Sequence, residues 1–450
     1  MNDTVSSEQT VDEADVRKAV GAAGMGNALE WFDFGVYSYM AGTVGHVFFP
    51  SHSDTASLLS SFAVFAIAFL VRPLGGLFFG PLGDKIGRSK VLATTIIMMS
   101  AGTFVVGLLP SFAAIGIWAP ILLICARLIQ GFSTGGEYGG AATFICEYSP
   151  DDRRGFLGSW LEFGTLAGYS LGAFLVTGIS MLLGDQAFGD WGWRIPFLVA
   201  GPLGLIGLYL RLKLEDSPAF ENMKAEEANK DSSLREIFVD NARLMLLCIG
   251  LVLILNVAYY TVLTYLPSYL TDVLDMSSSN SLVFLVATMI GMMCVIGLVG
   301  KLSDKVGRRP VLIGACVGFI VLSYPAFMLL SVGSIFTTIC GLALLGGLVV
   351  LLAGTMPATL PAIFPTRIRY GGFAISYNIS TSLFGGTAPF LITWLISVTG
   401  DNFVPAYYLM LAAAIAIAPI LMIPETANRA MPGSKALRGH SASTGSAQPA

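Results

Sequence analysis

Between Gly80 and Lys90 the chain reads G-P-L-G-D-K-I-G-R-S-K, and between Gly300 and Pro310 it reads G-K-L-S-D-K-V-G-R-R-P. Gly80, Asp84, Gly87 and Arg88 match Gly300, Asp304, Gly307 and Arg308 in register, so the second stretch repeats the first. Two further pairs follow in the same order. P-D-D-R-R-G (Pro150 to Gly155) is answered by P-T-R-I-R-Y-G (Pro365 to Gly371), and L-E-D-S-P (Leu214 to Pro218) by P-E-T-A-N-R (Pro424 to Arg429). A chain that repeats itself this way predicts two similar units with a path between them. In the repeated loops an Asp beside a helix end accepts hydrogen bonds or pairs with Arg, while Gly permits a tight turn and close helix approach. The eight matched residues read as a gate that latches one conformation. They read equally as turn chemistry that fixes topology.

Outward from these loops the sequence is apolar. Hydrophobic residues make up 54% and charged residues only 12%, about half the charged share usual in soluble domains. The expected class is an all-α integral membrane protein with twelve helices, because about twelve runs reach the roughly 20 residues that cross a hydrocarbon core. These runs lie at about 19–49, 57–82, 91–110, 118–147, 155–183 and 194–214, then 243–271, 281–300, 311–330, 334–364, 371–398 and 404–424. The implied organisation is an arm (1–18), a six-helix bundle (19–214), a charged central loop (215–242), a second six-helix bundle (243–424) and a disordered tail (425–450). All but Arg72, Arg127 and Arg194 of the 25 Lys and Arg fall in the arm, the tail or alternate loops. That side is the cytoplasm by the positive-inside rule, with both termini there. The arm shows no cleavable signal pattern. The six Cys are scattered through apolar runs and read as small buried hydrophobes.

Charge inside the spans is confined to the first half: Glu30, Asp33, Arg72, Arg127, Glu137 and Glu162. A charge at the bilayer centre costs at least ~2.5 kcal/mol, so these groups should face a protein interior or an aqueous path. In G-N-A-L-E-W-F-D-F-G-V-Y (Gly26 to Tyr37), Asn27, Glu30, Asp33, Phe34 and Tyr37 share an arc of roughly 120° on a helix. Arg127, Gln130, Thr134 and Glu137 share one of about 80°. Glu30, Asp33 and Glu137 are the candidates to carry a proton, since desolvation raises a carboxyl pKa in a closed cavity. Arg127 is the candidate to grip a carboxylate through its planar fork, or else to neutralise Glu30 or Asp33. Arg72 and Glu162 read as structural. Trp31, Phe34, Tyr37 and Tyr260 offer aromatic faces to an ammonium group, and Asn27, Gln130, Asn256 and Asn378 offer neutral polar contacts. His46, His52 and His440 form no relay. No metal-ligand spacing, phosphate cradle or nucleophile–base pair is present, so the chain reads as no enzyme, with no metal, no cofactor and no nucleic-acid partner.

The D-K-x-G-R loops in both halves resemble the major facilitator superfamily. Gly26 to Tyr37, R-P-L-G-G-L-F-F-G (Arg72 to Gly80), Q-G-F-S-T-G-G-E-Y (Gln130 to Tyr138) and W-G-W-R-I-P-F (Trp191 to Phe197) are similar to its metabolite:proton symporter family. Ala258 to Leu270 and Thr359 to Tyr370 are most similar to members that import zwitterionic compatible solutes. The resemblance implies a proton-coupled symporter of proline, glycine betaine or ectoine-like solutes in the bacterial inner membrane, driven by the proton gradient, working by alternating access and open to activation by osmolality. The alternatives are a symporter of organic acids (2-oxo, di- or tricarboxylate, shikimate) and a non-transporting solute sensor. Some such carriers end in a coiled-coil extension. The tail here has no heptads, so no coiled-coil dimer is expected, and the oligomeric state is left open.

Overall fold

The computed structural model describes residues 9–11, 13–86, 88–215, 236–434 and 437–439. The first bundle takes its spans from Glu13–Tyr39 continued by Ala41–Phe48, from Asp54–Leu70 continued by Arg72–Ile86, and from Arg88–Leu108. Trp118–Ser133 with Glu137–Tyr148, then Arg154–Ala187 and Arg194–Glu215, complete it. The second bundle begins with Ala242–Tyr259, which runs on through a π-helical stretch Tyr260–Tyr265 to Val273, followed by Ser278–Val306 and Arg308–Ser331. Ile335–Ala353 with Met356–Thr359, Arg369–Ser380 continued to Ala388–Thr399, and Val404–Met422 close the set of twelve. Nine helical segments among the described residues are long and apolar enough to cross a membrane by themselves. The other three fall short for visible reasons: the first carries the Glu30/Asp33 stripe, the third has only Ala93–Leu108 as its apolar core, and the fourth breaks at Thr134–Gly136.

Two crossings position the polar centre. Spans two and four touch backbone to backbone, since a Cβ on Gly75 would overlap the Phe132 carbonyl and one on Gly131 would overlap that of Ala68. This contact brings Arg72 and Arg127 onto neighbouring turns. Spans one and five cross equally closely at Gly164 and Gly168, against the Gly24 and Ala28 carbonyls. Here Asn27 Nδ2 donates to the Leu161 carbonyl (2.9 Å) and to Thr165 Oγ1 (2.5 Å), which fixes the level of Glu162. In the second bundle, spans seven and eleven both widen into π-helical turns facing the centre, at Tyr260–Tyr265 and Thr381–Gly385. Such turns concentrate at functional sites.

The structure corrects two boundaries. The first helix starts at Glu13, inside the expected arm. The expected disordered tail fails for Glu425–Ser434, which is folded against both bundles, and Met431 is buried with Cys146, Ala358 and Ala362. Composition marked this stretch as polar; its carboxylate and carbonyls find partners on helix ends, which a reading of composition does not show. Farther along, Leu437–Gly439 pairs in parallel with Gln9–Val11, so these two segments lie together. Most of the expected central loop, 216–235, lies outside the described residues, and only Glu236–Asp240 is seen as a π turn.

The crossing of spans two and four sets a sharp contrast. Gly131→Val should abolish the monodisperse peak in fluorescence-detected size-exclusion chromatography, because its Cβ meets backbone that cannot yield. Gly178→Ala, with nothing within 4 Å of the new methyl, should leave the peak unchanged.

Candidate functional site

At the centre, Glu30 on span one pairs with Arg72 Nη2 on span two, and both side chains are 1% exposed. Aromatic rings wall the guanidinium, with the centroids of Trp31, Phe34 and Phe69 at 5.9, 5.3 and 5.0 Å. Tyr260 of the second bundle closes this wall edge-on, 5.3 Å from Phe69 and 6.0 Å from Trp31. Glu30 Oε2, Arg72 Nε and Nη1, and the Tyr260 hydroxyl are all buried without a hydrogen-bond partner. Such groups are rare in a folded interior and mark a place where another polar group belongs.

One turn along span one, Asp33 faces the Thr103 hydroxyl and the Arg127 guanidinium, and its Oδ2 is also without a partner. Arg127 Nη1 donates to Gln130 Oε1 (2.8 Å), Gln130 Nε2 donates to Thr103 Oγ1 (2.5 Å), and the guanidinium lies 4.1 Å from the Tyr37 ring centroid. Tyr37 in turn donates to the Ser61 carbonyl (3.1 Å). This second network lies wholly within the first bundle. Of the other expected residues, Asn27 accepts from Trp31 Nε1 (3.1 Å) and fixes that ring. Asn256 donates to Thr381 Oγ1 (3.2 Å) inside the second bundle, and Asn378 donates across the bundles to the Gly135 carbonyl (2.5 Å). Glu137 accepts from Thr95 Oγ1 (3.3 Å) and lies within electrostatic reach of Glu30.

Sequence reasoning under-weighted two residues. Arg72, read as structural beside Pro73, is the cation that faces the second bundle. Glu162, also read as structural, accepts from Tyr138 of its own bundle and from Tyr259 of the other (2.7 Å). Tyr377 stacks on Tyr138 at 4.1 Å, and Tyr169 stacks on Trp31 at 5.4 Å while its hydroxyl meets Thr264 Oγ1 at 3.1 Å. The available signal was tyrosine inside four spans, the fourth, fifth, seventh and eleventh.

The gate residues divide. Gly80, Asp84, Gly87 and Arg88 lie outside the residues whose side chains are described. In the second copy, Asp304 accepts from the Gly155 and Phe156 backbone N–H groups (2.7 and 2.9 Å), capping a helix of the first bundle. Gly300 packs against the Gly155 carbonyl, and Gly307 turns the chain at φ 107°, a conformation suited to glycine. Arg308 Nη1 donates to Ala358 O (2.9 Å) and to Thr426 O and Oγ1 (3.2 and 2.7 Å). The tail tightens the same end. Asn428 donates to Asp304 O (2.7 Å), Arg154 to Arg429 O (3.1 Å), and Arg369 to Pro432 O (2.8 Å) as well as to Glu147 (2.7 Å). Glu425 accepts four backbone N–H bonds, from Arg308, Arg309, Thr426 and Ala427, at 2.9 to 3.0 Å. Burial alone would raise its pKa, but these donors outweigh it and hold the carboxyl below its ordinary value.

Twelve spans in two bundles, with charged and aromatic groups buried where the bundles meet, define a membrane carrier of small polar solutes. A profile of the major facilitator superfamily matches residues 23–369. The chain is 48% identical over 439 residues to the proline/betaine transporter of Salmonella typhimurium, covering 96% of this chain and 88% of that one. It is also 48% identical over 432 residues to the glycine betaine/proline/ectoine/pipecolic acid transporter OusA of Dickeya dadantii, covering 94% and 86%. In structure it resembles the xylose transporter XylE from E. coli in a partially occluded inward-open conformation. The TM-score is 0.70 with 18% identity, covering 92% of this chain and 99% of that one. The chain belongs to the major facilitator superfamily and is a multi-pass membrane protein; it is a carrier, not an enzyme.

The Glu425 cap gives the latch a pH dependence of definite sign. A carboxyl whose pKa is lowered by folding contributes stability that is complete above its free pKa and lost as pH falls through the lowered one. The melting temperature of purified wild type should therefore exceed that of Glu425→Gln by its full margin at pH 7, and the gap should close on acidification below the ordinary carboxylate range. A gap independent of pH would remove the charge from the cap.

Proposed function

We propose that this chain is a proton-coupled symporter that imports zwitterionic compatible solutes such as proline, glycine betaine and ectoine-like compounds by alternating access. The observation that carries this reading is the Glu30–Arg72 pair set among Trp31, Phe34, Phe69 and Tyr260, with unsatisfied polar atoms on both partners. A substrate carboxylate competes with Glu30 for Arg72, whose fork binds either one. Glu30, released from its cation into a dry site, then takes a proton. The substrate's ammonium, held away from the Arg72 guanidinium, rests on aromatic rings elsewhere in the buried centre, where each face is worth ~0.5 to 2 kcal/mol to a desolvated cation. Asp33 and Arg127 support Tyr37 and the span-one stripe from within the first bundle. Reversal follows when the bundles part at the other end and Glu30 loses its proton, so that Glu30 and Arg72 pair again. The proton gradient supplies the energy, with no cofactor.

On this reading the end with both termini and the Asp304 latch faces the cytoplasm of a bacterial inner membrane, as the Lys and Arg bias favours. The latch parts to release solute inward. The names of the relatives from Salmonella and Dickeya support the substrate class. An anionic-acid substrate fits less well, since the buried centre holds more carboxylates (Glu30, Asp33 and Glu162) than guanidinium groups (Arg72 and Arg127).

Labelled glycine betaine should accumulate in proteoliposomes carrying an inward proton gradient, more so as external osmolality is stepped up, and the accumulation should collapse with protonophore. Failure of uptake in vesicles that do move an organic acid would discard the zwitterion assignment, and binding without flux would make the chain a sensor. Glu30→Gln should lose gradient-driven accumulation while keeping counterflow exchange. Arg72→Lys should raise the half-saturation concentration for betaine about tenfold or more, because an ammonium is a point charge without the planar fork.

A further inference from the structure

Glu162 is 3% exposed and lies in the first third of span five, about two turns inside its Arg154 end. Its two oxygens accept from Tyr138 on span four and Tyr259 on span seven, and no cation pairs with it among the described residues. Both donors are neutral. The other buried acids of span one differ, since Glu30 is paired with Arg72 and Asp33 faces Arg127. An ionised carboxylate held in a dry interior by two phenols is electrostatically incomplete, and the group it lacks is a positive charge.

The surroundings match one kind of positive charge. Tyr138, Tyr259 and Tyr377 stand around Glu162, the first two through their hydroxyls and Tyr377 stacked on Tyr138 at 4.1 Å, so the carboxylate sits among aromatic rings contributed by both bundles. An alkylated ammonium, which has few or no N–H groups to donate, is held by ring faces and by net charge. The subsite is also close to the carboxylate-binding end proposed above. Tyr169 and Tyr377 each lie within electrostatic reach of both Arg72 and Glu162. A small zwitterion placed between them has its two charges facing opposite ends of this buried polar centre.

We infer that Glu162 is the counter-charge for the substrate's ammonium and that Tyr138, Tyr259 and Tyr377 form the walls of that subsite. The inference rests on the zwitterion reading and deepens it. Arg72 selects the carboxylate, and Glu162 selects the positive head. The phenols that satisfy Glu162 in the closed, substrate-free state turn aside to admit the cation. Because Tyr138 and Tyr259 belong to different bundles, filling the subsite also replaces a hydrogen-bonded bridge between the bundles.

The test uses 3,3-dimethylbutanoate, which has the shape of glycine betaine but carries an uncharged tert-butyl head. Binding of both compounds to the purified full-length chain is measured by competition against labelled glycine betaine for the wild type, and by quenching of tryptophan fluorescence for all variants. Wild type should prefer betaine at least tenfold. Glu162→Gln should bring that ratio close to one while still binding the isostere, and Glu162→Asp, which keeps the charge, should retain the preference. An unchanged ratio in Glu162→Gln overturns the inference. So does equal loss of both ligands in Glu162→Gln and Glu162→Asp, which would make the residue a structural post. If Glu162→Gln does not fold, Tyr259→Phe decides, because it frees the carboxylate without removing it; a raised betaine preference supports the subsite, and an unchanged or collapsed ratio overturns it. Failure of the wild type itself to prefer betaine is a different result, one that removes the zwitterion reading.

Discussion

The pairing of Glu30 with Arg72 is the constraint on which the rest of the centre depends. Opposite charges buried together in a low-dielectric interior lose their hydration, and removing one partner alone costs about 3 to 5 kcal/mol because the other is left uncompensated. The neighbourhood is built to hold this pair. Spans two and four are pressed together at Gly75 and Gly131 so that Arg72 stands at the interface, and aromatic rings fill the space where water would otherwise compete. On the proposed mechanism, a solute displaces Glu30 only if it brings a negative charge of its own and if Glu30 finds a proton. Binding of the solute and uptake of the proton are thereby tied together by electrostatics, with no moving part needed to link them.

Much of this was legible in the residues, and what was not has a physical reason. The repeat of Gly80–Lys90 at Gly300–Pro310 announces two bundles, and the helical arc of Asn27, Glu30, Asp33, Phe34 and Tyr37 announces a buried polar stripe, because both are local patterns with known periods. The assignment of partners was not local. Arg127 shares a helical face with Gln130 and so reads as the binding cation, yet it is Arg72 that the Gly75–Gly131 crossing turns toward the second bundle. Glu162 presented no pattern at all, since its partners come from two other spans, 24 and 97 residues away. The stretch from Glu425 to Ser434 looked like the rest of a Ser, Gly and Ala-rich tail, but its worth lies in carbonyls and one carboxylate that meet helix ends.

The latch and the centre are made of different forces. Asp304 and Glu425 cap helix N-termini that belong to other elements, satisfying donors that those helices cannot satisfy themselves. Caps of this kind contribute about 0.5 to 2 kcal/mol each, and the tail adds single bonds from Arg154, Arg369 and Asn428. Many small contacts at one end of the molecule can be exchanged for water one at a time. A carrier that must open and close that end repeatedly is better served by such a set than by one strong buried pair, whose rupture would be a single high step.

Span five connects the two. Gly155, Glu162 and Tyr169 are seven residues apart, close to two helical turns, and so lie on one face. Each meets the second bundle: Gly155 through Asp304, Glu162 through Tyr259, and Tyr169 through Thr264. The same helix is clamped to span one by the close crossings at Gly164 and Gly168 and by Asn27. A helix held this firmly on one side moves with span one as a body, so a change at Glu162 is felt at the Asp304 cap without any bending between them. On the proposed reading, occupancy at the centre reaches the latch along this seam, and the seven-residue spacing of its three polar contacts is the sequence record of the seam.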